Sequence, residues 1–340
     1  MTKANEYPYL VAEVGSNHLG SDKLIKKSIL LAKKSGADCV KFQLFDENNL
    51  VNKNIKIFKH VSDKKLKFQY QRFKKVKISV SQIIKYFKFS KKIGIDFSVT
   101  PFDPSYIKKI KRYTTFFKIA SGDINYIPLL KEIAKTNKKV VISTGMSKEQ
   151  EIKKALSFFK NKNKITLLHC ISSYPTNIES SNLINISNLK KKYKVDIGYS
   201  DHTPGIIVAA NSVLFGAKMI EKHFMPVKTK LAGDYKLSIT ADEMKKLSQL
   251  IKLNFKSIGK KRVNLYRSEI PFVKQLRRSM YFSKNLIKNQ KLKKDDFIFI
   301  RPFDKQGIKI ENYKKIIGKR LKFSVKKNQI IKAKDFKNFS

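Results

Sequence analysis

Short apolar runs alternate with amphipathic stretches through the first three quarters of the chain. Runs rich in β-branched and aromatic residues occupy 9–14, 38–43, 96–100, 116–121, 139–144, 165–170, 196–200 and 218–224, and most end in polar residues. Continuous apolar runs of this length predict strands buried on both faces. Between them, apolar positions recur at helical spacing over 22–35, 81–92, 128–136, 148–160, 182–193 and 205–215, with a last such segment at 241–255. Eight strands in strict alternation with helices predict an α/β fold, a closed (β/α)8 TIM barrel. A doubly wound open sheet needs no eighth strand and carries a glycine fingerprint after its first strand. Gly15-Ser16-Asn17-His18-Leu19-Gly20 is not that fingerprint.

Two stretches depart from the alternation. Residues 45–79 are long for a βα loop and read either as a partly helical cover over the barrel mouth or as a solvated basic loop. Residues 265–278 read as a connector, after which short strands at 279–282, 287–292, 297–302, 317–320 and 325–331 predict a compact β-rich module. The chain thus divides into a barrel over 1–264, a linker over 265–278 and a small domain over 279–340.

Composition narrows the class. No run of 18 apolar residues occurs and no signal-peptide core follows the N-terminus, so a soluble, cytoplasmic protein without a membrane partner is expected. Cys39 and Cys170 lie in apolar strands, where free buried thiols are expected rather than a disulfide. The formal charge of +48 admits a rival of another class, a basic nucleic-acid-binding protein on a barrel scaffold. The lysines are spread over nearly every helix, however, and no nucleic-acid motif accompanies them. A general compositional bias accounts for that distribution, so no specific nucleic-acid partner is expected.

A barrel performs its chemistry at the C-terminal ends of its strands. Two of those ends carry His202 and His223, 21 residues apart across one βα unit, which predicts half of a divalent metal site in a shared crevice. Asp201 and Glu221 bracket the pair as carboxylates that could orient the imidazoles or bind the ion. Lys41 and Lys118 lie within apolar strands, and a buried ammonium implies an anionic guest. The hydroxyls of Thr100, Ser121, Ser172 and Ser200 would complete an anion cradle. Glu13 and Asp123 face it as candidates for proton transfer, with salt bridges to the lysines as the plain alternative. Lys41 and Gln43 share one strand face by their spacing, as do Glu221 and His223.

The blocks Ala12-Glu13-Val14-Gly15-Ser16-Asn17-His18, Val40-Lys41-Phe42-Gln43, Lys118-Ile119-Ala120-Ser121-Gly122-Asp123, Ser143-Thr144-Gly145-Met146, Ser200-Asp201-His202 and Glu221-Lys222-His223-Phe224 resemble the sialic acid synthase family, in order along nearly the whole chain. The resemblance implies a metal-dependent condensation of phosphoenolpyruvate with an N-acetylated hexose such as N-acetylmannosamine, giving a nonulosonic acid and phosphate. A diacetamido acceptor, giving a legionaminic or pseudaminic acid by the same chemistry, is the alternative. Carried over by position, His202 and His223 would hold the metal, typically manganese, with magnesium or cobalt as alternatives. Lys41, Lys118, Ser121 and Ser200 would bind phosphoenolpyruvate, and Glu13, Gln43 and Asp123 would face the sugar and the reacting centre. The last module is similar to the antifreeze-like (SAF) domain of that family. There it reaches the partner's barrel in a domain-swapped homodimer, and Arg301 would approach the sugar's N-acetyl group. Three positions depart from the family pattern: Asp123 where glutamate is frequent, Ser172 where some members have asparagine, and Gln275 where some have an aromatic residue.

Overall fold

The computed structural model describes residues 7–57, 66–260, 264–337 and 339. Its eight parallel strands are β1 (Tyr9–Glu13), β2 (Cys39–Leu44), β3 (Asp96–Pro101), β4 (Phe117–Ile119), β5 (Val140–Ser143), β6 (Ile165–Cys170), β7 (Asp196–Asp201) and β8 (Met219–His223). Each pairs with the next and β8 pairs with β1, which closes the barrel. The register sets Glu13 opposite both Lys41 and His223, and Ser200 opposite Glu221, which gathers these side chains toward the C-terminal end of the barrel.

Side-chain alternation then sorts the interior into layers. Val11, Cys39, Phe116, Val141 and Leu168 pack together as an apolar plug, with Tyr9 and Met219 against it. Two residues further along their strands come Glu13, Lys41, Lys118, Ser143, Cys170 and Glu221, a polar layer resting on the plug. The opposite faces, including Leu10, Val40, Phe42, Phe97, Ile142 and Ile220, pack in the core formed with the surrounding helices.

Several elements differ from the sequence expectation. The helix expected over 205–215 breaks into Ile207–Asn211 and a 3-10 turn, Ser212–Phe215. Between β3 and β4 stand two short elements not expected, Pro104–Tyr106 and Ile107–Ile110, started by Asp103 accepting the Ser105 N–H. The segment after β2 carries the helices Glu47–Leu50 and Gln69–Val76, while its residues 58–65 lie outside the described residues.

The chain forms two compact units, Met1–Gly259 and Lys260–Ser340. The second contains the helix Ile270–Leu276, inside the expected linker, and an antiparallel pair, β9 (Ser279–Phe282) with β10 (Phe297–Ile300). The strands expected over 287–292, 317–320 and 325–331 reduce to single bridges such as Lys291 with Arg320 and Leu286 with Val325. Left-handed turns at Asn289 and Asn328 interrupt them, because the chain reverses before a ladder can extend. Met280, Phe282, Leu292, Phe297, Leu321 and Ile331 fill this unit's own core. Among the described residues no helix is long and apolar enough to cross a membrane.

Candidate active site

Above the apolar plug the barrel opens into a cavity of ≈ 580 Å³. Neither Lys41 nor Lys118 escapes to solvent, with 2% and 4% of their surface exposed. The Lys41 ammonium stands 2.6 Å from Glu13 Oε2 and 3.6 Å from Glu221 Oε2, and donates to Thr100 Oγ1 at 2.9 Å. Lys118 donates to Glu221 Oε1 at 3.2 Å, and Ser200 Oγ donates to the same oxygen at 3.2 Å. Glu221 therefore bridges the two lysines. Burial would raise its pKa, but Lys118 and Lys41 hold it down at about 2. Glu13 differs: desolvation and the nearby Glu221 charge outweigh Lys41 and lift its carboxyl above the usual range, while Gln43 Nε2 donates to its other oxygen at 2.8 Å. One carboxylate is thus firmly ionised and its neighbour is more easily protonated, an arrangement suited to proton transfer.

Hydroxyls gather opposite the lysines. Ser121 Oγ accepts the Gly145 N–H at 3.1 Å, and a Cβ on Gly145 would fall 2.3 Å from Ser172 Oγ. Only glycine lets these two serines converge there. The Ser143 and Ser172 hydroxyls are buried with no hydrogen-bond partner among the described residues, and both line the cavity. Buried unpaired hydroxyls beside two ammonium groups suit an oxygen-rich anion.

The rings of His202 and His223 face each other across the cavity wall, 5.4 Å between centroids. His202 Nδ1 lies 2.8 Å from the Ile171 carbonyl, which can only accept, so Nδ1 carries a proton and it is Nε2 whose lone pair is available when the ring is neutral. His223 Nδ1 is buried with no hydrogen-bond partner among the described residues, 3.8 Å from Asp234 Oδ2, and burial pushes the ring's pKa down to about 3. A neutral imidazole with an orphaned nitrogen beside a second imidazole of fixed tautomer fits two ligands to a divalent ion. Among the described residues, no three His, Cys, Asp or Glu side chains converge as a ready cage. Asp201, expected to serve the imidazoles, instead points out of the barrel, where it pairs with the fully buried Lys222 at 2.6 Å and accepts from Thr203. That pair ties β7 to β8 behind the histidines.

The remaining expected residues separate. Thr100, Ser121, Ser172, Ser200 and Gln43 line the cavity. Asp123 does not: it ends a 3-10 turn, Ser121–Asp123, with Oδ2 buried and without a hydrogen-bond partner among the described residues. Burial raises its pKa to about 6. A carboxyl raised in the folded state weakens folding above that pKa and no longer does so below the unfolded value near 4. Asp123→Asn is therefore expected to stabilise the protein by roughly 1 kcal/mol at pH 8 and by nothing at pH 4, read from urea unfolding at both. Arg301 follows β10 in the second unit and is exposed. Sequence reasoning did not select Asp234, Arg72 or Ser16, which line the same cavity.

A closed barrel holding two buried ammonium groups, unpaired hydroxyls and paired imidazoles at its mouth defines an enzyme that acts on a small anionic molecule. Comparison with known proteins narrows the class. Residues 28–263 match the NeuB family and 277–337 the SAF domain; the chain belongs to the NeuB family. It is 34% identical to the N,N'-diacetyllegionaminic acid synthase of Campylobacter jejuni, over 95% of this chain and 98% of that one. It is 31% identical to the N-acetylneuraminate-9-phosphate synthase of Drosophila melanogaster, over 92% and 91%. Among solved structures, the N-acetylneuraminic acid (sialic acid) synthetase of Leptospira borgpetersenii, in complex with citrate, is similar with a TM-score of 0.71 and 31% identity, covering 80% of this chain and 94% of that one.

Proposed function

We propose that this chain condenses phosphoenolpyruvate with an N-acetylated hexose, or a related diacetamido sugar, and water to give a nonulosonic acid and phosphate. The observation that carries the reading is Glu221 shared between Lys41 and Lys118, beside the unpaired hydroxyls of Ser143 and Ser172. On binding, the phosphate and carboxylate of phosphoenolpyruvate replace Glu221 as partners of the lysines, and the serine hydroxyls donate to the remaining oxygens. This holds C3 of phosphoenolpyruvate toward the open-chain aldehyde carbon of the sugar. The C3–C bond forms at the expense of the aldehyde C=O π bond, positive charge develops at C2, water adds there, and phosphate departs with the electrons of its C2–O bond as C2 becomes a ketone; of the water's two protons, one ends on the former aldehyde oxygen and the other on the phosphate. Glu13, with its raised pKa, takes the proton from the entering water, held in place by Gln43 and Lys41.

Charge balance supports a metal. Lys41, Lys118 and Arg72 are matched within the cavity by Glu13, Glu221 and Asp234, so an arriving substrate of about −2 to −3 charge finds no net attraction. His202 and His223 would hold a divalent ion, manganese by resemblance, whose charge offsets that excess and whose Lewis acidity polarises the aldehyde oxygen.

The test is phosphate release from phosphoenolpyruvate across a panel of 2-acetamido hexoses. Metal-dependent release matched by sugar consumption is expected. Salt-sensitive retardation of nucleic acid with no release would instead favour the basic-binder reading. The family's swapped dimer extends the proposal to Arg301. Arg301→Ala should raise the sugar's KM more than that of phosphoenolpyruvate. Mixing Arg301→Ala with His202→Ala subunits should restore part of the activity, because one barrel in each hybrid receives neither defect. Confirmed hybrids without recovery would return the module to a stabilising role.

A further inference from the structure

The outward faces of β7 and β8 carry an ion pair where most of the barrel wall is apolar. Lys222 and Asp201 are fully buried, with Ile220 and Tyr199 two residues before them and Ala12 opposite Lys222 on β1, all in the apolar core. The Lys222 ammonium donates to Asp201 Oδ2 at 2.6 Å and to the Thr203 carbonyl, so one side chain of β8 grips the residues on both sides of His202. Asp201 Oδ1 in turn accepts from the Thr203 N–H and from Thr203 Oγ1, both at 2.9 Å, which closes a tight turn around that histidine. A buried ion pair contributes little net stability over apolar side chains of the same volume, because both charges lose their hydration. Stability alone therefore does not account for charges at these two positions.

Their place in the chain does. Ser200, Asp201, His202 on one strand and Glu221, Lys222, His223 on the next alternate between the cavity and the wall behind it. The β7–β8 register ends with Asp201 opposite Lys222, and His202 stands one residue past β7. Ser200 and Glu221 lie inside that ladder, which holds them side by side. The two imidazoles lie beyond its last pair, 5.4 Å apart by ring centroid, where the Lys222 bridge to Asp201 and Thr203 ties the two backbones together.

Resting on the synthase reading, we infer that Lys222 and Asp201 are positioning residues that set the spacing and tilt of His202 and His223, so that the two imidazoles take a divalent ion together. Both point away from the cavity and touch neither ion nor substrate. The bridge reaches His202 from both flanks and leads directly into His223 along β8, so slack in it spreads the ring pair and leaves each imidazole to bind alone. Ser200 and Glu221 of the anion cradle sit one step back within the ladder and do not depend on the bridge. Loss of the pair thus separates two properties that a general loosening of the barrel would move together: metal affinity falls and phosphoenolpyruvate binding holds.

The experiment uses the full chain carrying Asp201→Asn together with Lys222→Met. This double substitution removes both charges at once, leaves no buried ion without its partner, and keeps an oxygen at position 201 for the Thr203 N–H. Its melting temperature is expected to stay within about 5 °C of the wild type's or to rise. Its affinity for manganese, by isothermal titration, is expected to fall at least about tenfold, the scale of losing a group that orients metal ligands. Phosphate release should fall at limiting manganese and recover in excess, while the KM for phosphoenolpyruvate stays within about twofold. The rise in melting temperature that phosphoenolpyruvate gives without metal should be unchanged. Thr203→Val keeps the ion pair, removes only the hydroxyl that steadies Asp201, and should lower manganese affinity at least about threefold. Wild-type manganese affinity in a folded double variant, or a loss matched by an equal loss of phosphoenolpyruvate binding, overturns the inference and leaves the synthase reading standing. If the double variant does not fold, full manganese affinity in Thr203→Val overturns it. A wild type that binds manganese but releases no phosphate with any acetamido or diacetamido sugar overturns the synthase reading and leaves the manganese comparison to decide the inference. One that does neither overturns both.

Discussion

Replacing His223 by alanine is expected to lower kcat/KM by more than about 100-fold while leaving the barrel folded, the scale of losing a principal charge-stabilising contact in a transition state. The ring is buried and neutral, and its Nδ1 has no hydrogen-bond partner among the described residues, so little folding energy rests on that nitrogen. Its neighbour His202 is held by the Ile171 carbonyl and stays in place when His223 is shortened. The loss should therefore appear in turnover and in metal affinity, measured by isothermal titration with manganese, and not in the melting temperature. Chelation of the wild type should produce the same loss, reversed on adding the ion back. Full activity after exhaustive chelation, or a variant that binds manganese as tightly as the wild type, would remove the imidazole pair from the mechanism.

How far the site could be read from sequence followed from backbone regularity. Along a strand, side chains alternate, so spacing alone places Lys41 with Gln43 and Glu221 with His223 on shared faces, and they do line one cavity. The same rule, applied strictly, sets Asp201 opposite in sense to Ser200 and His202, which is where Lys222 holds it. Alternation ends where strands end. Asp123 lies in a 3-10 turn beyond β4, so its direction depends on turn geometry, and it is not among the residues that line the cavity. Asp234 and Arg72 belong to an irregular loop after β8 and to a helix within the cover, connected only through the tertiary fold. A rare arginine in a lysine-rich barrel was the signal that could have found the second. The small domain showed the complementary failure: its apolar runs were legible as buried, but Asn289 and Asn328 turn the chain so often that most ladders shrink to single bridges.

Glu221→Ala should be the most destabilising substitution in the polar layer. The carboxylate is 5% exposed and accepts from Lys118 and Ser200, with Lys41 beyond at 3.6 Å. Removing it leaves Lys118 buried without a counter-ion and Lys41 dependent on Glu13 alone. Breaking one partner of a buried ion pair typically costs about 3–5 kcal/mol, because the remaining charge keeps its desolvation penalty without its Coulombic offset. The pH dependence has a definite sign. Glu221 is held below its unfolded pKa, so its contribution is complete above about pH 4.5 and fades as pH falls toward 2. Wild type and variant should therefore differ most in urea unfolding near pH 7 and converge on acidification. Two further measurements separate this cause from simple loss of packing. Inorganic phosphate should raise the variant's melting temperature more than the wild type's, since an anion can take the place that Glu221 vacates. Adding Lys118→Met to Glu221→Ala should recover part of the lost stability, a non-additivity confined to groups that share one interaction. A variant as stable as wild type at pH 7, or a double substitution whose losses simply add, would mean that the lysines are solvated and that Glu221 does not hold the anion site in readiness.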